Sequence, residues 1–111
     1  MGKIRPTRYY SKKQENAVAK TIGGKRTANS GATRFDKGDV RLDDWLIECK
    51  TKTQPSQSMS IKKEWMTKNE DEAFGTGKHY SAVCFDFGDG ERYYIIKEKN
   101  FKEYLELLQE K

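Results

Sequence analysis

Soft metal ligands and cross-linking residues are scarce in this chain, with one histidine and two cysteines in 111 residues. That supply excludes a zinc finger or ribbon, which needs four nitrogen or sulfur ligands, and a disulfide-stapled scaffold. Cys49 and Cys84 both fall within apolar strand-like runs, which suits small buried hydrophobes in a reducing compartment. No apolar run approaches the roughly 18 residues of a membrane helix, and the N-terminus carries charge without an apolar h-region. The expectation is a cytoplasmic protein with no membrane partner. Hydrophobic residues make up 34% and charged residues 35%, with a mean hydropathy of −1.02, so any core is small and the surface highly polar. Acidic charge is scarce at one end, where residues 1 to 37 hold ten Lys or Arg against only Glu15 and Asp36. With a formal charge of +5 and a pI near 9.2, this end is the one expected to meet a polyanion.

What the chain does contain is a stretch with chemistry in it, Lys37 to Lys50. Apolar and β-favouring residues flank Asp43-Asp44, which predicts two short antiparallel strands joined by a turn. On the second strand, alternation sets Leu46, Glu48 and Lys50 on one face and Trp45, Ile47 and Cys49 on the other. The hairpin brings Asp39, at the start of the first strand, near Glu48 and Lys50. Two carboxylates beside a lysine suit a hard divalent cation such as Mg²⁺, with Mn²⁺ able to substitute. The lysine can then order an attacking water or neutralise charge on a phosphate. The structural alternative is a surface hairpin with an exposed Glu48–Lys50 ion pair worth about 0 to 1 kcal/mol.

Around this stretch the expected elements are a basic irregular arm over residues 1 to 10 and a helix from a Ser11 cap to Ile22, ended by Gly23-Gly24. Its Glu15 sits in the expected first turn, where a helix-dipole role is the alternative to a functional one. A basic strand over Lys25 to Asn29 and a Ser30-Gly31-Ala32 loop follow. Arg26 and Arg34 are the arginines expected on backbone phosphates. After the site, Thr51 to Ser58 reads as a loop. A second helix runs from a Ser58 or Ser60 cap to Phe74, with Ile61, Trp65 and Asn69 on its core face. A buried strand from Tyr80 to Phe87, an Asp89-Gly90 turn and a strand over Arg92 to Ile96 form a hairpin. A last helix, capped by Asn100, is expected to pack Phe101, Tyr104, Leu105 and Leu108 on the sheet.

Gly38-Asp39-Val40 with Ile47-Glu48-Cys49-Lys50 resembles the (P)D…(D/E)-x-K signature of the restriction-endonuclease-like nucleases. The longer series Glu15, Lys25 to Ala32, Asp39 and Glu48-Cys49-Lys50 resembles the archaeal-type Holliday junction resolvases and their phage relatives, from about residue 11 to about residue 97. Gly38 rather than proline precedes Asp39, and Thr33 to Lys37 reads as an insertion. The resemblance implies a single α/β nuclease domain over residues 1–111, with a central mixed β-sheet flanked by helices in the order α-β-β-β-α-β-β-α. It also implies Glu15 as a third carboxylate at the metal, with Asp39 and Glu48, and Lys50 as the catalytic lysine. Lys12, Lys13, Lys25, Arg26, Ser30, Arg34 and Lys52 are the expected DNA contacts. The implied function is a metal-dependent DNA endonuclease, a homodimer acting on four-way junctions in recombination or repair. The alternatives are a nuclease of the same fold with another DNA substrate and a non-catalytic DNA-binding module. An RNA-binding sheet is disfavoured, because no aromatic RNP-like strand faces a basic surface.

Overall fold

The computed structural model describes residues 7–26 and 39–110, with side chains from 12 to 25 and from 40 to 110. The elements are α1 (Thr7–Ile22), β1 (Lys25–Arg26), β2 (Asp39–Arg41), β3 (Trp45–Lys50), α2 (Lys63–Gly75), β4 (Tyr80–Asp86), β5 (Arg92–Ile96) and α3 (Glu98–Gln109). Their order is the expected one. The strands make one five-stranded sheet in the order β1-β2-β3-β4-β5. Among the described strands only β3 and β4 pair in parallel, because the chain between them crosses over through α2. The chain is thus an α/β protein with a mixed sheet.

The apolar stripe of α1 covers one face of this sheet. Val18 is fully buried with Val40, Ile47, Ala82 and Cys84, while Ala19, Ile22, Trp45 and Cys49 pack around them. Each buried valine contributes about 1.5 to 3 kcal/mol. The second helix covers the opposite face. There Asn69, 1% exposed, donates its amide to the Leu46 carbonyl at 3.1 Å and to the Ala82 carbonyl at 2.9 Å, bridging the two parallel strands. Alternation therefore sends Ile47 toward α1, and Leu46, Glu48 and Lys50 toward α2.

Several boundaries differ from the sequence reading. The first helix begins at Thr7, not after Ser11, a start that Pro6-Thr7 can signal because proline suits only a helix's first turn. Residues 7 to 10 of the expected arm are therefore helical, and residues 1 to 6 lie outside the described residues. The basic strand is described only over Lys25–Arg26; Thr27 to Asn29, the Ser30 loop and Arg34 also lie outside.

The second helix begins at Lys63, and neither Ser58 nor Ser60 caps it; the N-cap is Lys62, without a side-chain bond. The preceding segment is committed elsewhere. Ser56 donates its amide to the Phe87 carbonyl at 2.8 Å, and Ser58 turns back on the Ser56 hydroxyl at 3.3 Å. Ile61 falls before the helix and is exposed. The third helix starts at Glu98, so Asn100 is an internal residue, 8% exposed, and not its cap. Its apolar residues do not pack on the sheet as expected: Phe101, Tyr104, Leu105 and Leu108 remain 49%, 47%, 40% and 48% exposed. Side-chain contact of α3 with the body includes Glu103, whose carboxylate meets His79 at 3.2 Å.

Candidate active site

The β2–β3 hairpin forms as its sequence implies. Leu42 donates to the Trp45 carbonyl at 2.9 Å, closing the turn over Asp43-Asp44. The turn is then clamped from outside: Lys78 Nζ donates to the Leu42 carbonyl at 2.6 Å, and the His79 amide to Asp44 Oδ1 at 3.0 Å. The register that results sets Asp39 opposite Glu48, Val40 opposite Ile47 and Arg41 opposite Leu46. The backbones of the two acidic positions are therefore neighbours across the ladder.

On β3, Lys50 Nζ lies 3.4 Å from Glu48 Oε1, and the two side chains are 31% and 14% exposed. This is not the exposed surface pair of the structural alternative. Its desolvation makes the pairing matter more than it would in open water. The same ammonium sits 5.0 Å from the centre of the Trp65 ring of α2, within the range where an indole face attracts a cation. Trp65 is half-buried, and its ring lies against the lysine.

The strand end is fixed by residues that the sequence reading did not single out. Gln14, 5% exposed, donates to the Lys50 carbonyl at 2.6 Å and to Asp86 Oδ2 at 3.2 Å. Asp86 also accepts from the Thr51 hydroxyl at 2.7 Å and from the Gly88 amide at 2.8 Å. A charged residue in the otherwise apolar run from Tyr80 to Phe87 was the available signal for Asp86. Nothing local marked Gln14, since its partners lie 36 and 72 residues away.

Glu15 is 3% exposed and lies well inside α1, whose first turn holds no acidic residue. The helix-dipole explanation for it therefore lapses. Among the described residues, no three His, Cys, Asp or Glu side chains gather where they could hold a metal ion; the Asp39 side chain lies outside that set.

Of the expected DNA contacts, Lys12, Lys13 and Lys25 are exposed and Lys52 half-buried. Arg26 is described only through its backbone, opposite Val40, and Ser30 and Arg34 lie outside the described residues. A cleft beside the strand ends is lined by Lys13, Gln14, Thr51, Lys52, Asp86 and Arg92. Arg92 completes a trio of cations there that only the folded chain assembles. A separate, mainly apolar cleft between α2 and the β4–β5 pair, with Met66, Val83 and Ile95 in its walls, contains neither Glu48 nor Lys50. The chain matches no protein-family model, no curated protein and no solved structure.

Proposed function

We propose that this chain is a metal-dependent DNA endonuclease of the restriction-endonuclease-like superfamily, acting on branched DNA in the manner of a Holliday junction resolvase. The observation that carries the reading is the hairpin register that sets Asp39 opposite Glu48, with Lys50 Nζ 3.4 Å from Glu48 on the same strand. Carboxylate oxygens are the donors that Mg²⁺ and Mn²⁺ take, one or two carboxylates being the usual number. Asp39 and Glu48 would hold the ion, with Glu15 as the third carboxylate that the family resemblance implies. A bound ion supplies Lewis acidity and a more acidic water.

The remaining work falls to the chain's own side chains. Lys50, steadied by Glu48 and by the Trp65 face, has three donors with which to order the attacking water or to offset charge developing on the phosphate. Lys12, Lys13, Lys25, Arg26, Ser30, Arg34 and Lys52, joined by Arg92, bind the phosphate backbone and set the duplex against the strand ends. Cutting two strands of a junction calls for two such sites, hence a homodimer, in recombination or repair.

The test is to incubate the purified chain and Mg²⁺ with four-way junction, duplex, flap and single-stranded DNA. Preferential cleavage of the junction is expected. Preferential cleavage of another substrate moves the chain to the related nucleases, and binding to all four without cleavage makes it a binding module.

A further inference from the structure

The side of the sheet that carries Glu48 and Lys50 turns aromatic toward its β5 edge. Ala82 and Cys84 of β4 pack under α1, so alternation sends Val83 and Phe85 to the α2 side. The register then lays Lys50, Phe85 and Tyr93 in one row across β3, β4 and β5, with Phe85 about 5 Å and Tyr93 about 10 Å from the lysine's strand. The Phe85 and Tyr93 rings stack, their centroids 5.6 Å apart and their planes 26° from parallel, and Phe87 meets them edge-on at 5.4 and 5.7 Å. Helix α2 lies chiefly over β3 and β4, which leaves Phe85 and Phe87 half-buried and Tyr93 44% exposed. The sequence reading has no aromatic strand beside a basic site; the folded register brings one next to Lys50.

We infer that these rings are a stacking platform for an unpaired base of the DNA, laid on Tyr93 beside the phosphate that Lys50 faces. The inference rests on the nuclease reading for that phosphate, and it narrows the substrate to branched DNA with an unpaired nucleotide next to the cut. Charge separates the two parts of the nucleotide. The turn before β5 carries Asp89 and Glu91, both exposed, at the outer edge of the sheet. Arg92 is turned to the α1 side, where it meets the Thr21 hydroxyl at 3.2 Å. A sugar–phosphate backbone is therefore repelled at the β5 edge and drawn inward to the lysine, so what reaches over the rings is the uncharged base. Phenyl and phenol faces stack on any base, because every base has a π-face. A continuous duplex keeps its bases paired and stacked on one another, and only an unpaired one is free to lie on a side-chain ring. The crossing point of a branched DNA is where such a base is at hand.

Fluorescence anisotropy in EDTA reads binding without cleavage. The full chain should bind a thymidine oligonucleotide of about twelve residues at least about tenfold more tightly than the same sugar–phosphate chain lacking bases. Tyr93→Leu should remove most of that ratio while leaving affinity for the abasic chain unchanged, which shows the fold and the backbone contacts intact. Tyr93→Phe keeps the ring and should keep the ratio. A parent that binds both chains alike overturns the inference, as does a ratio that survives Tyr93→Leu or is lost equally in Tyr93→Phe. Junction cleavage in Mg²⁺ answers separately for the nuclease reading. Base-selective binding without cleavage of any DNA sinks that reading and leaves the platform standing, whereas cleavage without base selectivity sinks the platform alone.

Discussion

Gln14 of α1 donates its side-chain amide to the main-chain carbonyl of Lys50 at 2.6 Å, and the same nitrogen lies 3.2 Å from Asp86 Oδ2. One side chain thus ties the first helix to the ends of the two central strands, at the residue whose ammonium pairs with Glu48. Gln14→Ala leaves both acceptors short of a donor in a buried setting and should cost about 1 to 3 kcal/mol in urea unfolding. Gln14→Glu keeps the shape but sets a second carboxylate against Asp86. It should cost more than the alanine change at neutral pH and recover part of the difference as the pH falls and the new carboxyl, pushed up by burial and by Asp86, takes a proton. Equal stabilities for the two variants across that range would remove Gln14 from this role.

The loop after β3 is held against the β4–β5 turn at Gly88. Its φ is +87°, and a Cβ there would stand 2.6 Å from the Gln54 carbonyl oxygen and 2.9 Å from the Pro55 Cα. Gly90 has a similar φ of +85° with open space around it. Gly90→Ala should therefore cost only the roughly 1 to 2 kcal/mol of a left-handed residue. Gly88→Ala should cost more, and should make the segment around Pro55 more open to limited proteolysis. Similar losses for both variants would show that the backbone contact is unimportant.

Lys13, Lys52 and Arg92 line one cleft although they come from α1, the loop after β3 and β5. Replacing all three by glutamine should weaken binding to every DNA sequence alike and flatten the slope of log K against log salt by roughly one unit per lost phosphate contact. An unchanged slope would place the DNA on another surface.

Cys84 and Tyr94, partners across the β4–β5 ladder, hold their protons more tightly than usual. Burial pushes the Cys84 thiol up, and burial followed by the neighbouring Cys84 pushes the Tyr94 hydroxyl up. With folded-state affinities above the unfolded ones, the stabilisation is complete below the unfolded pKa values, about 8.5 for a thiol and 10 for a phenol. It is lost as the pH rises through the raised folded values. Urea midpoints should thus fall from about pH 8.5 upward. Cys84→Ala, less stable at pH 7 by about 1 kcal/mol for its lost packing, should show a shallower fall. An equally steep fall in the variant would assign the effect to other groups.

The order of elements and the β2–β3 hairpin were legible in the sequence because their signals are local: alternation over Trp45 to Lys50, turn residues at Asp43-Asp44, and the apolar run from Tyr80. The helix starts were not. Ser58 looked like a cap, but its amide is engaged by Ser56, and that segment is drawn to the Phe87 carbonyl by a contact far away in sequence. Asn100 looked like a cap because short polar residues often are, yet it is buried inside α3. The amphipathic pattern of α3 was readable, but a pattern says only that a face is apolar, not which surface covers it. At the candidate site, the Glu48–Lys50 pairing follows from two-residue spacing on one strand. The support from Gln14, Asp86 and Trp65 depends on tertiary neighbours that no local pattern encodes.

The proposed roles of Asp39 and Glu48 as ligands beside Lys50 are tested most directly by single-turnover cleavage of a four-way junction at saturating Mg²⁺. Asp39→Asn and Glu48→Gln should each slow cleavage by at least about a thousandfold, a barrier increase of about 4 kcal/mol. Both should bind the junction as tightly as the parent or more tightly, since each removes a negative charge that the proposed site would set against phosphate. Parental cleavage rates in either variant, with its fold intact, would contradict the proposed site.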